Sequence, residues 1–230
     1  MDCLTVGTRN LYRFVSDEAK TNMYVLVEKN QALIVDPHIS DEVLAFLRQK
    51  EIIECTVFLT HEHSDHTCGL AGLQELFDII VICQSSCAET IADRDRNDPR
   101  LTIAMLSIQD SKNGTNTADS FLNKYREFEY EADLSFETEF EYFWQKDKFT
   151  FRATPGHSPG GCCICWNNTA IFTGDSLMMS LPVITRFPGG STRDYKNKTL
   201  PFLRSLDQKL VAFPGHGHTF QLGDALAKVL

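Results

Sequence analysis

Three features of the sequence predict an α/β (α+β) fold built on mixed sheets. They are two strand-like runs joined by a tight turn near the N-terminus, a strand, helix, strand succession ending at Cys83, and a return to strand-forming residues from Phe136 onward. The runs LYRFV and MYVLVEKNQALIVD open the chain, and Lys29-Asn30-Gln31 interrupts the second, which predicts a hairpin and an antiparallel start. Ser40 is placed to cap a helix over DEVLAFLRQK, with Asp41 and Glu42 in its first turn and Val43, Leu44 and Leu47 as its apolar stripe. Thr56 to Leu59 and Ile79 to Cys83 are continuous apolar runs, the pattern of strands covered on both faces. Between them Leu70, Leu73, Leu76 and Phe77 have helical spacing. The segment is therefore a βαβ unit, with part of the sheet parallel and its loops gathered at the strands' C-terminal ends.

Residues 85–130 change character: polar, helix-compatible stretches surround the turn-rich KNGTNT, which predicts a helical, acidic insertion. From Phe136, FETEFEYFWQKDKFTFRA mixes aromatic and polar residues in the manner of further antiparallel strands. A helix-like DYKNKTLPFLRSL, a strand LVAF and a closing DALAKVL follow. With no internal repeat and no low-complexity linker, residues 1–230 are expected to form a single domain. An apolar content of 43% in 230 residues supports a sizeable core and excludes disordered and fibrous classes.

The formal charge of −9 is unevenly spread, because residues 85–150 carry 14 acidic against 8 basic side chains. Such a chain repels polyanions, so nucleic acid and anionic membrane are excluded as partners, and a small-molecule substrate is expected. Composition says nothing of oligomeric state. The N-terminal MDCLTVGTRN lacks the basic start and apolar run of a signal peptide, and no stretch approaches the ~20 apolar residues of a membrane span. A cytoplasmic location with reduced thiols is expected. Cys162, Cys163 and Cys165 fall in a strand-like run without a CxxC partner, which favours buried apolar thiols over a zinc half-site.

The chemistry lies in four short segments, each a loop after a strand-like run. TVFLTHEHSDHTCGL carries His61, His63, Asp65 and His66; FRATPGHSPGG carries His157; AIFTGDSL carries Asp175; VAFPGHGHT carries His216. In an extended loop positions i and i+2 point the same way, so His61 and His63 can reach one cation, while Asp65 and His66, turning into a helix, can reach a second. His61, His63 and His157 then make a three-His set, Asp65, His66 and His216 a His2Asp set, and the two oxygens of Asp175 can bridge. Two metals so held suit a shared hydroxide attacking a carbonyl or phosphoryl centre. His218 lies in the same loop as His216 but ranks behind it, because glycines bracket His216; His38 is expected to be a surface residue or a neighbour of the ligands.

These motifs resemble the metallo-β-lactamase fold superfamily: THEHSDH is similar to its THxHxDH signature, and TPGHSPGG, FTGDSL and FPGHGH follow in its order over nearly the whole chain. The resemblance implies a four-layered αβ/βα sandwich, two mixed sheets flanked by helices, with the metals in the cleft between the sheets. It carries the ligand roles onto the seven residues named above and places Asp36 of IVDP near the cleft, able to orient a ligand imidazole. TRFPGGSTRDYKNKTLPFLRSL followed by FPGHGHT is similar to the glyoxalase II-like (hydroxyacylglutathione hydrolase-like) branch, which implies a hydrolase using two Zn2+, with Fe and Mn as alternatives. A metal-bound hydroxide would cleave a thioester or other activated acyl substrate, and Asp65 would pass the proton to the leaving group. The C-terminal helical domain that supplies much of the glutathione site in full-length relatives is expected to be absent, and the insertion to supply a different lid. A lactonase or β-lactam hydrolase could use the same dinuclear site, although β-lactamases with a bridging Cys are disfavoured by Asp175. A mononuclear iron persulfide dioxygenase, using His61, His157 and Asp175, is the alternative from another class. Phe121, Tyr125 and Trp144 are candidates for the acyl pocket, with core packing the better reading of each. The acidity around Asp93, Asp95 and Asp98 is expected to select against strongly anionic substrates.

Overall fold

Alternation in the first strands sets the architecture. The computed structural model describes residues 1–179 and 181–228, and its first sheet runs β1 (Asp2–Val6), β2 (Arg9–Val15), β3 (Asn22–Glu28), β4 (Gln31–Val35), β5 (Glu54–Phe58), β6 (Asp78–Gln84), β7 (Leu134–Phe136). β1 to β4 pair antiparallel and β4 to β7 pair parallel, so the hairpin start and the βαβ unit share one mixed sheet. In β3, Met23 and Val25 pack on one side and Tyr24 and Leu26 on the other, and all four are buried. That is the signature of a strand covered on both faces. β1 was not visible as a strand, since DCLTV is mostly exposed and takes its order from the ladder with β2.

The second sheet joins β8 (Glu139–Trp144), β9 (Asp147–Ala153), β10 (Cys162–Trp166), β11 (Ala170–Gly174), β12 (Val211–Pro214) and β13 (Phe220–Gln221), in the order β13-β12-β11-β10-β9-β8. Its single parallel pair is β11 with β12. Leu11, Leu33, Phe58 and Ile82 of the first sheet meet Phe149, Phe151, Trp166, Phe172 and Phe213 of the second in one buried layer. Each such side chain contributes about 1.5–3 kcal/mol by leaving water.

Helices cover both outer faces. α1 (Asp41–Gln49) is capped as expected, with Ser40 Oγ accepting from Val43 N at 3.2 Å. α1 packs on the first sheet together with α2 (Ser64–Thr67), α3 (Leu70–Leu73) and α4 (Ser85–Ile91), mainly through Val43, Leu47, Leu70, Leu73 and Ile91. α7 (Thr192–Asp194), a π-helical turn (Tyr195–Thr199), α8 (Leu200–Ser205) and α9 (Leu222–Leu226) lie along the second, where Leu203 and Leu222 meet Ile171 and Ala212. The result is a four-layered αβ/βα sandwich. The last two residues of DALAKVL, Val229 and Leu230, lie outside the described residues. Cys162 faces the layer between the sheets, while Cys163 and Cys165 face the α8–α9 side. The three thiols cannot converge on one ion and serve as small apolar side chains.

Within residues 85–130, α4 belongs to the sheet's helical layer, whereas α5 (Arg100–Asn113) and α6 (Thr117–Lys124) form a hairpin turned at Gly114, φ 69°. Leu106, Ala118 and Phe121 dock this hairpin on Cys68. Glu18 ties it down, accepting from Ser120 Oγ at 2.8 Å and Lys124 Nζ at 2.7 Å. Burial opposes ionisation of Glu18, but these two donors outweigh it and hold the carboxyl below its ordinary value near 4.5. A depressed carboxyl stabilises the fold above its unfolded value and loses that contribution as pH falls through its folded one. Glu18→Gln is therefore expected to lower stability by about 1 kcal/mol at pH 7, with the difference from wild type closing towards pH 3, read from denaturant midpoints.

Candidate metal centre

Every chemistry-bearing loop leaves the carboxyl end of a strand: Asp36 follows β4, His61 to His66 follow β5, His157 follows β9, Asp175 follows β11 and His216 follows β12. His63 occupies the N-cap position of α2, which turns Asp65 and His66 back towards the cleft while His61 stays on the extended segment. The glycines allow the approach. A Cβ at Gly215 would stand 2.3 Å from Asp175 Oδ1 and 2.7 Å from His66 Cε1, and Gly174, φ 48°, would meet Thr60 Oγ1 at 2.4 Å.

Ligand atoms of His61, His63 and His157 lie within 4.8 Å of one another, and so do those of Asp65, His66 and His216. His157 Nε2 is 3.0 Å from His63 Nδ1, and the Nε2 atoms of His66 and His216 are 3.3 Å apart. Asp175 lies between the two sets, its Oδ2 3.5 Å from His157 Nε2 and 3.6 Å from His216 Nε2. His218 is exposed and joins neither set.

Hydrogen bonds assign the tautomers. Thr60 donates to Asp36 through its backbone N at 2.7 Å and its hydroxyl at 2.6 Å, so the hydroxyl accepts from His61 Nδ1 at 3.1 Å. His66 Nδ1 donates to Asp36 Oδ2 at 3.0 Å, and His157 Nδ1 to the Ile184 carbonyl at 2.8 Å. In these three rings Nδ1 carries a proton, and Nε2 faces the cleft. His61 Nε2 and Asp175 Oδ1 are buried with no hydrogen-bond partner. Asp65 accepts from Thr21 Oγ1 at 2.9 Å and from Thr102 Oγ1 at 3.2 Å.

The electrostatics follow from this crowding. Burial, then the His157 ring, pushes His63 down to about 4. Burial also drives His61 down, reinforced by three neighbouring imidazoles. Burial works against charge on His66 too, yet Asp65, Asp36 and Asp175 outweigh it and push that ring up to about 10, so without a cation it carries a proton on each nitrogen, and a metal at Nε2 would take the place of the second. Asp65 and Asp175 stay below the usual carboxylate range, because the cluster's imidazoles overcome their burial.

A cavity of about 460 Å³ opens over the cluster. Its wall is apolar: Leu101, Met105 and Leu106 of α5 face Met178, Ile184 and Phe187 of the segment before α7. Phe121 and Tyr125 pack instead in the α5–α6 cluster and Trp144 between the sheets. Asp93, Asp95 and Asp98 do not border the cavity either. Asp93 accepts from the Asp95 backbone and Asp98 pairs with Arg100, so these carboxylates are engaged in local turns. Thr21 and Thr102, which orient Asp65, carry no sequence signal, since their partner is far away in the chain.

The sequence profile of the Metallo-beta-lactamase superfamily matches residues 17–216, and the chain belongs to that superfamily. Its relatives include the hydroxyacylglutathione hydrolase of Pelagibacter ubique (strain HTCC1062), 26% identical over 203 residues that make 86% of this chain and 67% of that one. The hydroxyacylglutathione hydrolase of Glaesserella parasuis serovar 5 (strain SH0165) is 36% identical over 72 residues, 31% of each chain, so the match spans about a third of that relative's length. Among solved structures, the BLEG-1 B3 metallo-beta-lactamase superposes with a TM-score of 0.71 at 22% identity over 94% of this chain and 96% of its own, a likeness of fold. Among the described residues no helix is long and apolar enough to cross a membrane.

Gly215→Ala is expected to force Asp175 or His66 out of place and to cost about 1–3 kcal/mol in unfolding free energy, measured by chemical denaturation, because the atoms its Cβ meets belong to buried side chains.

Proposed function

We propose that the protein is a metal-dependent hydrolase of thioesters or other activated acyl compounds, glyoxalase II-like in its centre. The observation that carries this reading is the pair of orphaned buried atoms, His61 Nε2 and Asp175 Oδ1, within a cluster whose other imidazole lone pairs also converge. Most buried polar atoms in folded proteins are hydrogen-bonded; Arg9, Asn22, Asn97 and Trp166 also leave one without a hydrogen bond, but only His61 and Asp175 do so within the cluster, and imidazole nitrogen with carboxylate oxygen is the donor chemistry of zinc, iron and manganese. His61, His63 and His157 would hold one ion and Asp65, His66 and His216 a second, with Asp175 within reach of both sets; Zn2+ suits such nitrogen-rich sets best. Two such ions supply an activated water at neutral pH and polarise the acyl carbonyl.

The chain's own residues do the rest. Asp36, through Thr60 and directly, keeps the His61 and His66 lone pairs turned into the cleft. Thr21 and Thr102 hold the Asp65 carboxylate in place and the neighbouring imidazoles keep it ionised, so that it would accept the proton surrendered by the attacking water and return it to the departing group. Phe187 lies edge-on to His63 and His157, at 5.8 and 5.6 Å between ring centres, and excludes bulk water from that side. The hydroxyacylglutathione hydrolase relatives support the thioester class. All eight cysteines are free, which supports a reducing, cytoplasmic compartment and a small-molecule substrate there.

Zinc-loaded protein is expected to hydrolyse a simple acyl thioester, and His61→Ala combined with Asp175→Ala to abolish that turnover while lowering bound metal. A single tightly held iron, with oxygen uptake on a persulfide and no thioester cleavage, would overturn the reading in favour of a dioxygenase. Asp36→Asn is expected to weaken zinc binding about 10- to 100-fold, measured by competition with a chromophoric chelator.

A further inference from the structure

The cavity over the metal centre is the one large space that reaches the proposed reacting atoms, and its composition is lopsided. Apart from the side chains of the centre itself, its only charged lining residue among those described is Lys20, which is exposed at the rim. Gln109 is exposed, and Thr102 is engaged by Asp65 and Ser64. The remaining wall is hydrocarbon and thioether from floor to mouth, with Leu106 and Met178 buried beside the centre and Leu181 exposed at the outside.

We infer that this wall selects the acyl part of the substrate: a hydrocarbon chain of medium length lies between α5 and the side chains of Met178, Ile184 and Phe187, while the leaving thiol faces the open rim beside Lys20. The inference rests on the hydrolase reading above and narrows its substrate class. A polar acyl group would lose its water against Leu101, Met105, Leu106 and Met178 with no partner to replace it, at a cost of kilocalories per group. A hydrocarbon gains from the same contact, and the flexible thioethers of Met105 and Met178 adapt to it. A volume of about 460 Å³ falls in the range of small-molecule sites. The wall is also held in register with the chemistry, because Thr102, beside Leu101 in α5, donates to Asp65 at 3.2 Å. In the reaction the water oxygen bonds to the acyl carbon and the C–S bond breaks with its electron pair on sulfur. The thiolate takes the proton passed through Asp65, giving one carboxylic acid and one thiol. The thiol, released at the rim, leaves without crossing the apolar wall.

The test uses acetyl, butanoyl, hexanoyl and octanoyl thioesters of N-acetylcysteamine with zinc-loaded protein, together with calorimetric binding of octanoate and acetate. The expected result is a rise in kcat/KM of about fourfold per added methylene until the wall is covered, and octanoate bound at least about tenfold more tightly than acetate. Met105→Gln and Leu101→Gln, checked for folding by circular dichroism, should flatten both trends, whereas Ile108→Gln on the exposed side of α5 should leave both as in wild type. Octanoate binding no tighter than acetate, or a trend untouched by both wall variants, would overturn the inference. If no thioester is cleaved yet octanoate binds through Met105, the hydrolase reading fails and the wall assignment stands.

Discussion

The cleft depends on one buried carboxylate. Asp36, 2% exposed, accepts from Thr60 N, Thr60 Oγ1 and His66 Nδ1, and so ties the end of β4 to the loop after β5 and to α2. A buried carboxylate left unpaired would cost several kilocalories, so this arrangement holds only with all three donors in place. Once they are, two imidazoles have their orientation and tautomer decided, His66 directly and His61 through the Thr60 hydroxyl. Asp36 takes up a left-handed backbone conformation, φ 54°, that a short polar side chain tolerates better than a branched one. Backbone turn and hydrogen-bond hub are thus the same residue.

Strand direction explains why distant motifs meet. β4 and β5 run parallel and deliver Asp36 and the His61–His66 loop to one edge. In the other sheet β10 is antiparallel to both β9 and β11, and β12 is parallel to β11, so β9, β11 and β12 all point the same way. Their carboxyl ends carry His157, Asp175 and His216 to the facing edge. The parallel β11–β12 step requires a long crossover, which houses the cavity-lining Met178, Ile184 and Phe187, the π-helical turn and α8. Pro201, at the start of α8, has no N–H to give, and the preceding turn widens so that Leu200 N bonds Tyr195 O. That turn is stitched to the cleft: Tyr195 Oη donates to Ser176 O at 3.0 Å and Thr199 Oγ1 to Pro155 O at 2.7 Å, beside Asp175 and His157 respectively.

How much of this the sequence disclosed depends on whether a signal is local. The βαβ unit, the Ser40 cap and the clustering of His61, His63, Asp65 and His66 are written in neighbouring residues, so periodicity and spacing reach them. The proximity of His157, Asp175 and His216 was legible only because each follows an apolar run with a glycine beside it. Asp36 was reached through the family resemblance, whereas Thr21 and Thr102 stand far from Asp65 in the chain and are of a residue type common everywhere, so nothing marks them until the fold brings them together. The acid-rich stretch is a related case. Charge counted along the chain takes no account of which way a helix faces, and α5 turns Leu101, Met105 and Leu106 to the cavity while Asp93 and Asp98 serve turns before it.

That orientation gives α5 two duties on adjoining positions. Thr102 holds Asp65, and Leu101, Met105 and Leu106, one residue before it and a turn beyond, form the wall. Helical spacing puts these residues on one side of the helix, so the wall cannot shift along or about the axis without moving the Thr102 hydroxyl from its carboxylate. The hairpin is in turn fixed from outside by Glu18 holding Ser120 and Lys124 of α6, and from beneath by Phe121 and Leu106 on Cys68. Cys68 follows α2 directly, and α2 carries Asp65 and His66. Packing under the hairpin and hydrogen bonding above it therefore converge on the same short helix. The segment that looks most peripheral in the sequence is thereby coupled mechanically to the most buried chemistry in the fold.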